Sequence, residues 1–389
     1  MSEWKKVKLG DYCLKIGSGS TPKGGSTVYV ESGTSFIRSQ NVYNLSFDYN
    51  GLTHITEEAA NKLKGVTIFN EDILLNITGD SVARTCIVPN DVLPARVNQH
   101  VAIVRVDRKK MNGRFLNYYL ASPRMQAHML SLAVGKGASR NAMTKQMIEN
   151  FNVPCPPLDT QHRIATILSR YDSLIENYQK QIKLLEESAQ CLYKEWFIDL
   201  RFPGHENTKI VNGVPEGWEK ANLGTLVEFK RGKTITKKEM VEGHIPVVAG
   251  GLEPAYYCNK FNTSERVITI SGSGANAGYT RMYFEKVWAS DCSFADNSMT
   301  PYLHFIFCFL RDNKTTIDNM QKGSAQPHVY AKDINAMELC LPETSILQTF
   351  EEKVSKCFDT ISSLIFQIRL LTEARDRLLP KLMSGEKKV

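Results

Sequence analysis

One feature constrains the fold of this chain more than any other: it is written twice. QIKLLEE at 181–187 returns as QIRLLTE at 367–373, 186 residues later. WKKVKLG at 4–10 reappears as WEKANLG at 218–224, and FLNYYL at 115–120 matches YLHFIF at 302–307. KGAS at 136–139 pairs with KGSA at 322–325, and YDSL at 171–174 with FDTI at 358–361. The order of the matches is kept throughout, as a tandem duplication requires. The offset falls from 214 to 187 between Gly10 and Phe115, so the first copy carries about 27 extra residues there. Two copies of one fold are therefore expected, not one large domain.

Each copy follows the same plan. Short strand-like runs lie between turn signals, VTIFNEDILLNITG and HVAIVRV in the first copy, RVITISGSG and KVWASDC in the second. An aromatic helix, a glycine-bearing polar loop and a proline-marked strand (FNVPCPP, MELCLP) follow. A long helix closes each copy. Its apolar residues fall at Ile164, Leu168, Tyr171, Ile175, Tyr178, Ile182, Leu185, Ala189, Leu192 and Trp196, in alternating steps of four and three. The second series is Leu347, Phe350, Val354, Cys357, Ile361, Leu364, Ile368 and Leu371, then Leu378 and Leu382. Arg375 is its one polar intrusion. Such spacing is the seam of a coiled coil. Two seams in one chain can bury each other, and Ile175, Tyr178, Ile182, Leu185, Leu364, Ile368 and Leu371 are the expected pairing residues. Ser345 and Gln348 predict a capping box for the second helix.

The expected fold class is α+β. Two mixed, twisted-sheet domains, 1–157 and 201–342, alternate with helices at 158–200 and 343–389. The helices pair antiparallel if a pseudo-twofold axis relates the copies.

Composition excludes more than it proves. A hydrophobic fraction of 42% with 23% charged residues is that of an ordinary soluble protein. No apolar run reaches the roughly 20 residues of a membrane span, and the N-terminus lacks a signal-peptide pattern, so a cytoplasmic location is expected. Nine scattered cysteines without C-x-x-C indicate reduced, core-filling thiols and argue against zinc. A net charge of +7 is compatible with a polyanionic partner.

The catalytic motifs are missing. No phosphate loop or nucleophile elbow occurs, and SGSGANAG at 271–278 is off the dinucleotide fingerprint. His162 and His328 stand alone, and carboxylate pairs such as Glu57-Glu58 and Glu351-Glu352 read as solvated faces. What remains is a set of polar loops at equivalent places. In the first copy they are FIRSQN, NITGDSVART, VNQH and GKGASRNAMTK; in the second, FKRGKTITKK, ISGSGANAG and QKGSAQPH. Singly these are ordinary turn chemistry. Together they combine guanidinium, ammonium, amide and hydroxyl groups, the set that reads base edges and phosphates. The expected DNA-binding residues are Arg38, Gln40, Asn41, Thr78, Arg84, Gln99 and Arg140 in the first copy. In the second they are Lys230, Arg231, Lys233, Ser273, Asn276, Gln326 and His328.

The whole chain resembles the specificity subunits of type I restriction–modification systems. The carriers are WKKVKLGDYC and its echo VPEGWEKANLG, the ILLNITG and VITISG strands, KGAS and KGSA, PLDTQHRIATILSRYDSLI, and the ending RLLPKLMSGE. The resemblance implies two target-recognition domains, each reading half of an asymmetric, split sequence in double-stranded DNA. It implies spacer helices that dock two methyltransferase (modification) subunits, with restriction subunits joining them. S-adenosylmethionine, ATP and Mg belong to those partners; no cofactor, metal or catalytic residue is expected in this chain. Two other readings stay open at this point. One is a scaffold or adaptor with a coiled coil and two ligand-binding domains; the other is the specificity subunit of a related methylase–nuclease system.

Overall fold

The computed structural model describes residues 4–134, 141–235, 241–323, 327–387 and 389. The chain divides into two compact units, Met1–Asn177 with Ile368–Val389, and Tyr178–Gln367. The division falls inside both long helices, so each unit owns part of each.

The first unit is built around an antiparallel sheet in the order Thr85–Ile87, Ile73–Asn76, Val101–Val106, Cys13–Ser18. Its central strands are apolar without a polar face, because both faces are covered. Ile73, Leu75, Ala102 and Val104 point into a core shared with the helix Gly113–Ala121. Leu74, Val101 and Ile103 point the other way, onto Ile37, Ile68, Ala95 and Val97 of a second sheet. Period-two alternation thus feeds two cores. Each fully buried aliphatic side chain contributes about 1.5–3 kcal/mol. In the second sheet Thr34–Ile37 runs parallel to Ala95–Val97 and antiparallel to Thr53–Ile55.

The second unit repeats this topology. Its main sheet is ordered Lys230–Arg231, Cys292–Asp296, Val267–Ser271, Thr280–Tyr283. Its smaller sheet places Ile245–Val248 parallel to Trp288–Ala289 and antiparallel to Tyr256–Cys258. A short ribbon closes each domain: Lys6–Lys8 with Asn152–Pro154, and Glu219–Asn222 with Glu338–Leu341. YLHFIFCFL forms the helix Leu303–Asp312, buried from Leu303 through Leu310. Among the described residues, the first unit's additions are a hairpin of Val42–Tyr43 and Ser46–Phe47, the helix Glu57–Lys62 and the strands Tyr29–Val30 and Thr67–Ile68. They sit where the sequence offset falls.

The seams form helices Leu158–Tyr193, continued by a π turn at Lys194–Ile198, and Thr344–Met383. In the first unit the helix segments pair antiparallel: Arg163 donates to the Val389 carbonyl at 3.4 Å, and Arg375 bonds Asp172 at 2.8 Å. Ile164 and Leu168 share their core with Leu379 and Leu382. In the second unit Tyr193 and Trp196 pack on Phe350, at 6.2 and 5.8 Å between ring centroids. Of the expected pairing residues, Ile175 and Leu364 are buried; Tyr178, Ile182, Leu185, Ile368 and Leu371 are half-buried.

The capping box is a correction. The helix starts two residues early, at Thr344, with Ile346 and Leu347 N–H bonding the Glu343 carbonyl, so Ser345 lies inside the first turn. The nine cysteines are free thiols, and burial pushes Cys86 and Cys292 up to about 12, which keeps them protonated core residues.

Candidate nucleic-acid interface

The described parts of the polar loops gather at one end of each main sheet, and the two copies build that end the same way. After Asn76 and after Ser271 the chain makes one identical turn, displaced by 195 residues. Asn76 N–H bonds the Arg84 carbonyl and Ser271 N–H the Tyr279 carbonyl, each at 2.9 Å. Ala83 N–H returns to Asn76 and Gly278 N–H to Ser271, again at 2.9 Å. Gly79 N–H reaches the Asn141 carbonyl and Gly274 N–H the Pro327 carbonyl, so each turn is pinned to the polar loop across it. Both turns need left-handed backbone at matching places: Gly79 and Gly274 at φ 73° and 81°, Ala83 and Gly278 at 74° and 86°.

A second match lies beside it. Gly19 and Gly232 approach the neighbouring backbone so closely that an added Cβ would meet carbonyl oxygens at 2.0 Å and 2.3 Å. Only glycine lets the loop after the edge strand close there.

Onto this common backbone the copies hang different side chains. In the first, Thr21 donates to Gln99 Oε1, Gln99 Nε2 lies 3.3 Å from His100 Nε2, and His100 Nδ1 lies 2.6 Å from Thr78 Oγ1. Gln99 and Thr78, remote in sequence from Thr21, thus join one hydrogen-bonded chain on the half-exposed loop surface. In the second copy Ser273 donates to Asp291, which lies 3.9 Å from Arg231. His328 backs this group through a β-bridge to Ser273, and its ring stacks on Tyr330. Arg231, Asp291, His328 and Tyr330 line one shallow pocket.

The other expected residues are placed as follows. Arg38 and Gln40 both donate to the Gly51 carbonyl, at 2.7 and 3.3 Å, and Gln40 is exposed. Arg84 lies over the Tyr43 ring at 4.5 Å. Lys230 and Lys233 are exposed cations with no ion pair to any described residue. Asn276 is half-buried, its carbonyl accepting from Tyr279 N–H. Arg140 and Gln326 lie outside the described residues.

Asn41 is a correction. It is 0% exposed; its amide donates to the Asp48 and Asn50 carbonyls, and its oxygen accepts from Arg38 N–H. Buried and engaged at both ends inside the loop, it shapes 38–51 and is not presented to a base. The same loop is fastened by Tyr49, which donates to Asp91 at 3.1 Å. Burial, and after it that hydrogen bond to the carboxylate, push the phenol up to about 12, so it remains a donor.

Sequence reasoning missed Thr21, His100 and Asp291. His100 and Asp291 occupy one structural place: Ile77 N–H bonds the His100 carbonyl and Gly272 N–H the Asp291 carbonyl. Their chemistry differs, so letter matching could not align them.

The family described as "Type I restriction modification DNA specificity domain" matches residues 1–187 and 215–370. The chain belongs to this family. Like the named relatives it is a specificity subunit, without catalysis of its own. It is similar over its whole length to the type I restriction enzyme MjaIX specificity subunit of Methanocaldococcus jannaschii, at 27% identity over 414 residues and 94% of that protein. The HindI specificity subunit of Haemophilus influenzae is 22% identical over 470 residues, covering 99% of this chain and 100% of the relative. The crystal structure of a type I restriction–modification S subunit from M. genitalium shares the fold, with a TM-score of 0.59, 17% identity and coverage of 97% and 96%. Among the described residues no helix is long and apolar enough to cross a membrane, and no group of His, Cys, Asp or Glu is placed to hold a metal.

Proposed function

We propose that this specificity subunit reads a split, asymmetric sequence in double-stranded DNA, one half with each unit's loop cluster, while its long helices carry two methyltransferase subunits. One observation supports this above the rest: two superposable loop platforms carry divergent polar side chains. A scaffold with two equivalent ligands has no reason to keep the backbone and vary the groups on it. Two different half-sites do. Exposed apolar residues on the long helices, Leu174, Leu184, Phe366 and Leu370, support protein docking there. Restriction subunits would join the same assembly and supply ATP-driven cleavage; S-adenosylmethionine, ATP and Mg would be bound by the partners.

The direct test is co-expression with the methyltransferase and purification of the complex. Genomic adenine methylation, compared with and without this chain, should reveal one bipartite motif. Affinity should fall steeply with salt, because each phosphate neutralised releases counterions. Exchanging the exposed Lys230 and Lys233 for alanine should lower the slope of log K against log salt by about two and leave the motif unaltered. Motif-independent methylation, or no DNA binding by the complex, would sink the reading.

In this reading the helices set the distance between the half-sites. Adding one helical turn, about 5.4 Å, to both should lengthen the unread spacer by between one and two base pairs, at about 3.4 Å each. Both half-sites should stay the same. Methylation mapping that returns the original spacer would remove the ruler from the proposal.

A further inference from the structure

Asp291 sits where a DNA-reading surface should not tolerate a carboxylate. Its side chain is 39% exposed, and the exposed Arg231 guanidinium lies 3.9 Å away. Ser273 occupies Oδ2. Oδ1 receives no hydrogen bond from any described residue, and Arg231 at 3.9 Å is too far to supply one. Facing phosphates, such a group is repelled and loses hydration on binding, which a bland loop position would avoid. The cost is offset if the free oxygen meets a donor on the DNA.

In the major groove only cytosine N4 and adenine N6 offer donors. Adenine presents its N7 acceptor beside N6, which repels a carboxylate, whereas guanine and thymine present acceptors at the corresponding edge. The two copies also differ at this position: His100 stands there in the first, held by Thr78 and Gln99. The scaffold hydroxyl, Thr78 or Ser273, is shared; the residue it orients is not.

We infer that Asp291 is a specificity-determining residue of the second unit, its free carboxylate oxygen accepting from the exocyclic amine of a cytosine, and that Ser273 positions it. This rests on the DNA-reading function proposed above.

The experiment uses the full chain assembled with its methyltransferase and duplexes varied one base pair at a time across both half-sites. Asp291→Ala should abolish preference at one C·G pair of one half-site, a loss of roughly 5- to 150-fold in discrimination. Asp291→Asn, nearly identical in shape, gains a donor and should shift preference at that pair toward adenine. Ser273→Ala should weaken the same preference and leave the others intact. If Asp291→Ala keeps every preference, or lowers rates equally on all sequences, Asp291 is only a loop-holding residue and the inference is overturned. A wild-type complex without sequence preference would instead overturn the DNA-reading function itself.

Discussion

Exchanging Asp172 for alanine should destabilise the first unit by about 3 kcal/mol, the low end for breaking a buried ion pair. Asp172 and Arg375 are 17% and 14% exposed in their side chains and bond at 2.8 Å. Tyr118 also donates to Asp172. Loss of the carboxylate would leave a guanidinium in the helix seam whose one remaining ion pair among the described residues is to the exposed Asp376, and a buried hydroxyl without its carboxylate acceptor. Burial alone would lower the pKa of Arg375, but the bond to Asp172 raises it on balance, so the charge is held in place by its partner. Replacing both charges, Asp172→Leu with Arg375→Met, should recover most of the loss, because the desolvation cost goes with them. A remainder of about 1 kcal/mol should track the orphaned Tyr118 hydroxyl and disappear in Tyr118→Phe. Chemical denaturation of the four proteins distinguishes the terms. A single-variant loss below about 1 kcal/mol would show the pair to be solvated like an ordinary surface bridge.

That pair also marks what the sequence could disclose. Arg375 is visible as the polar interruption of an apolar series, but its answering charge lies 203 residues away, and no periodicity points there. The duplication was legible because its motifs recur in order, and the two long helices because burial on one face leaves a period; Leu303–Asp312, buried all round, shows only as an apolar run. The size of the first copy's insertion was legible from the drifting offset; its form, a hairpin and a short helix between Ile37 and Ile73, was not. The loops NITGDSVART and ISGSGANAG were legible as equivalents, but the common backbone shape they share was not, for a different reason. Backbone hydrogen bonds hold Asn76–Arg84 and Ser271–Tyr279 in one shape, and such bonds need only N–H and C=O groups. The side chains were free to diverge, so His100 and Asp291 share a place without sharing chemistry. Asn41 was misread in the opposite sense. An asparagine in a polar loop looks like a reader, and only loop closure over Asp48 and Asn50 shows that its amide is already used.

Phe350→Ala should be the most damaging single change in the second unit, at about 3–5 kcal/mol. The ring is 0% exposed and meets Phe197 at 5.0 Å, Trp196 at 5.8 Å, Phe305 at 6.1 Å and Tyr193 at 6.2 Å. Four aromatic neighbours cannot collapse into the space of one lost ring without leaving their own edge-to-face contacts, so the cavity persists. The neighbouring Glu351 adds a consequence. Its carboxylate accepts from the His304 and Phe305 N–H groups at 3.0 and 3.1 Å, capping the helix Leu303–Asp312. A helix segment loosened at Phe350 therefore also uncaps the helix packed in the same core as the second unit's main sheet. Hydrogen exchange should show lost protection in Leu303–Asp312 and Cys292–Asp296, with Ile73–Asn76 and Val101–Val106 unchanged. Phe350→Leu, which keeps most of the volume, should cost about 1.5 kcal/mol or less and retain protection. Equal loss of protection in both sheets would mean that the two units unfold as one, and that damage to one sheet cannot be confined to its own unit.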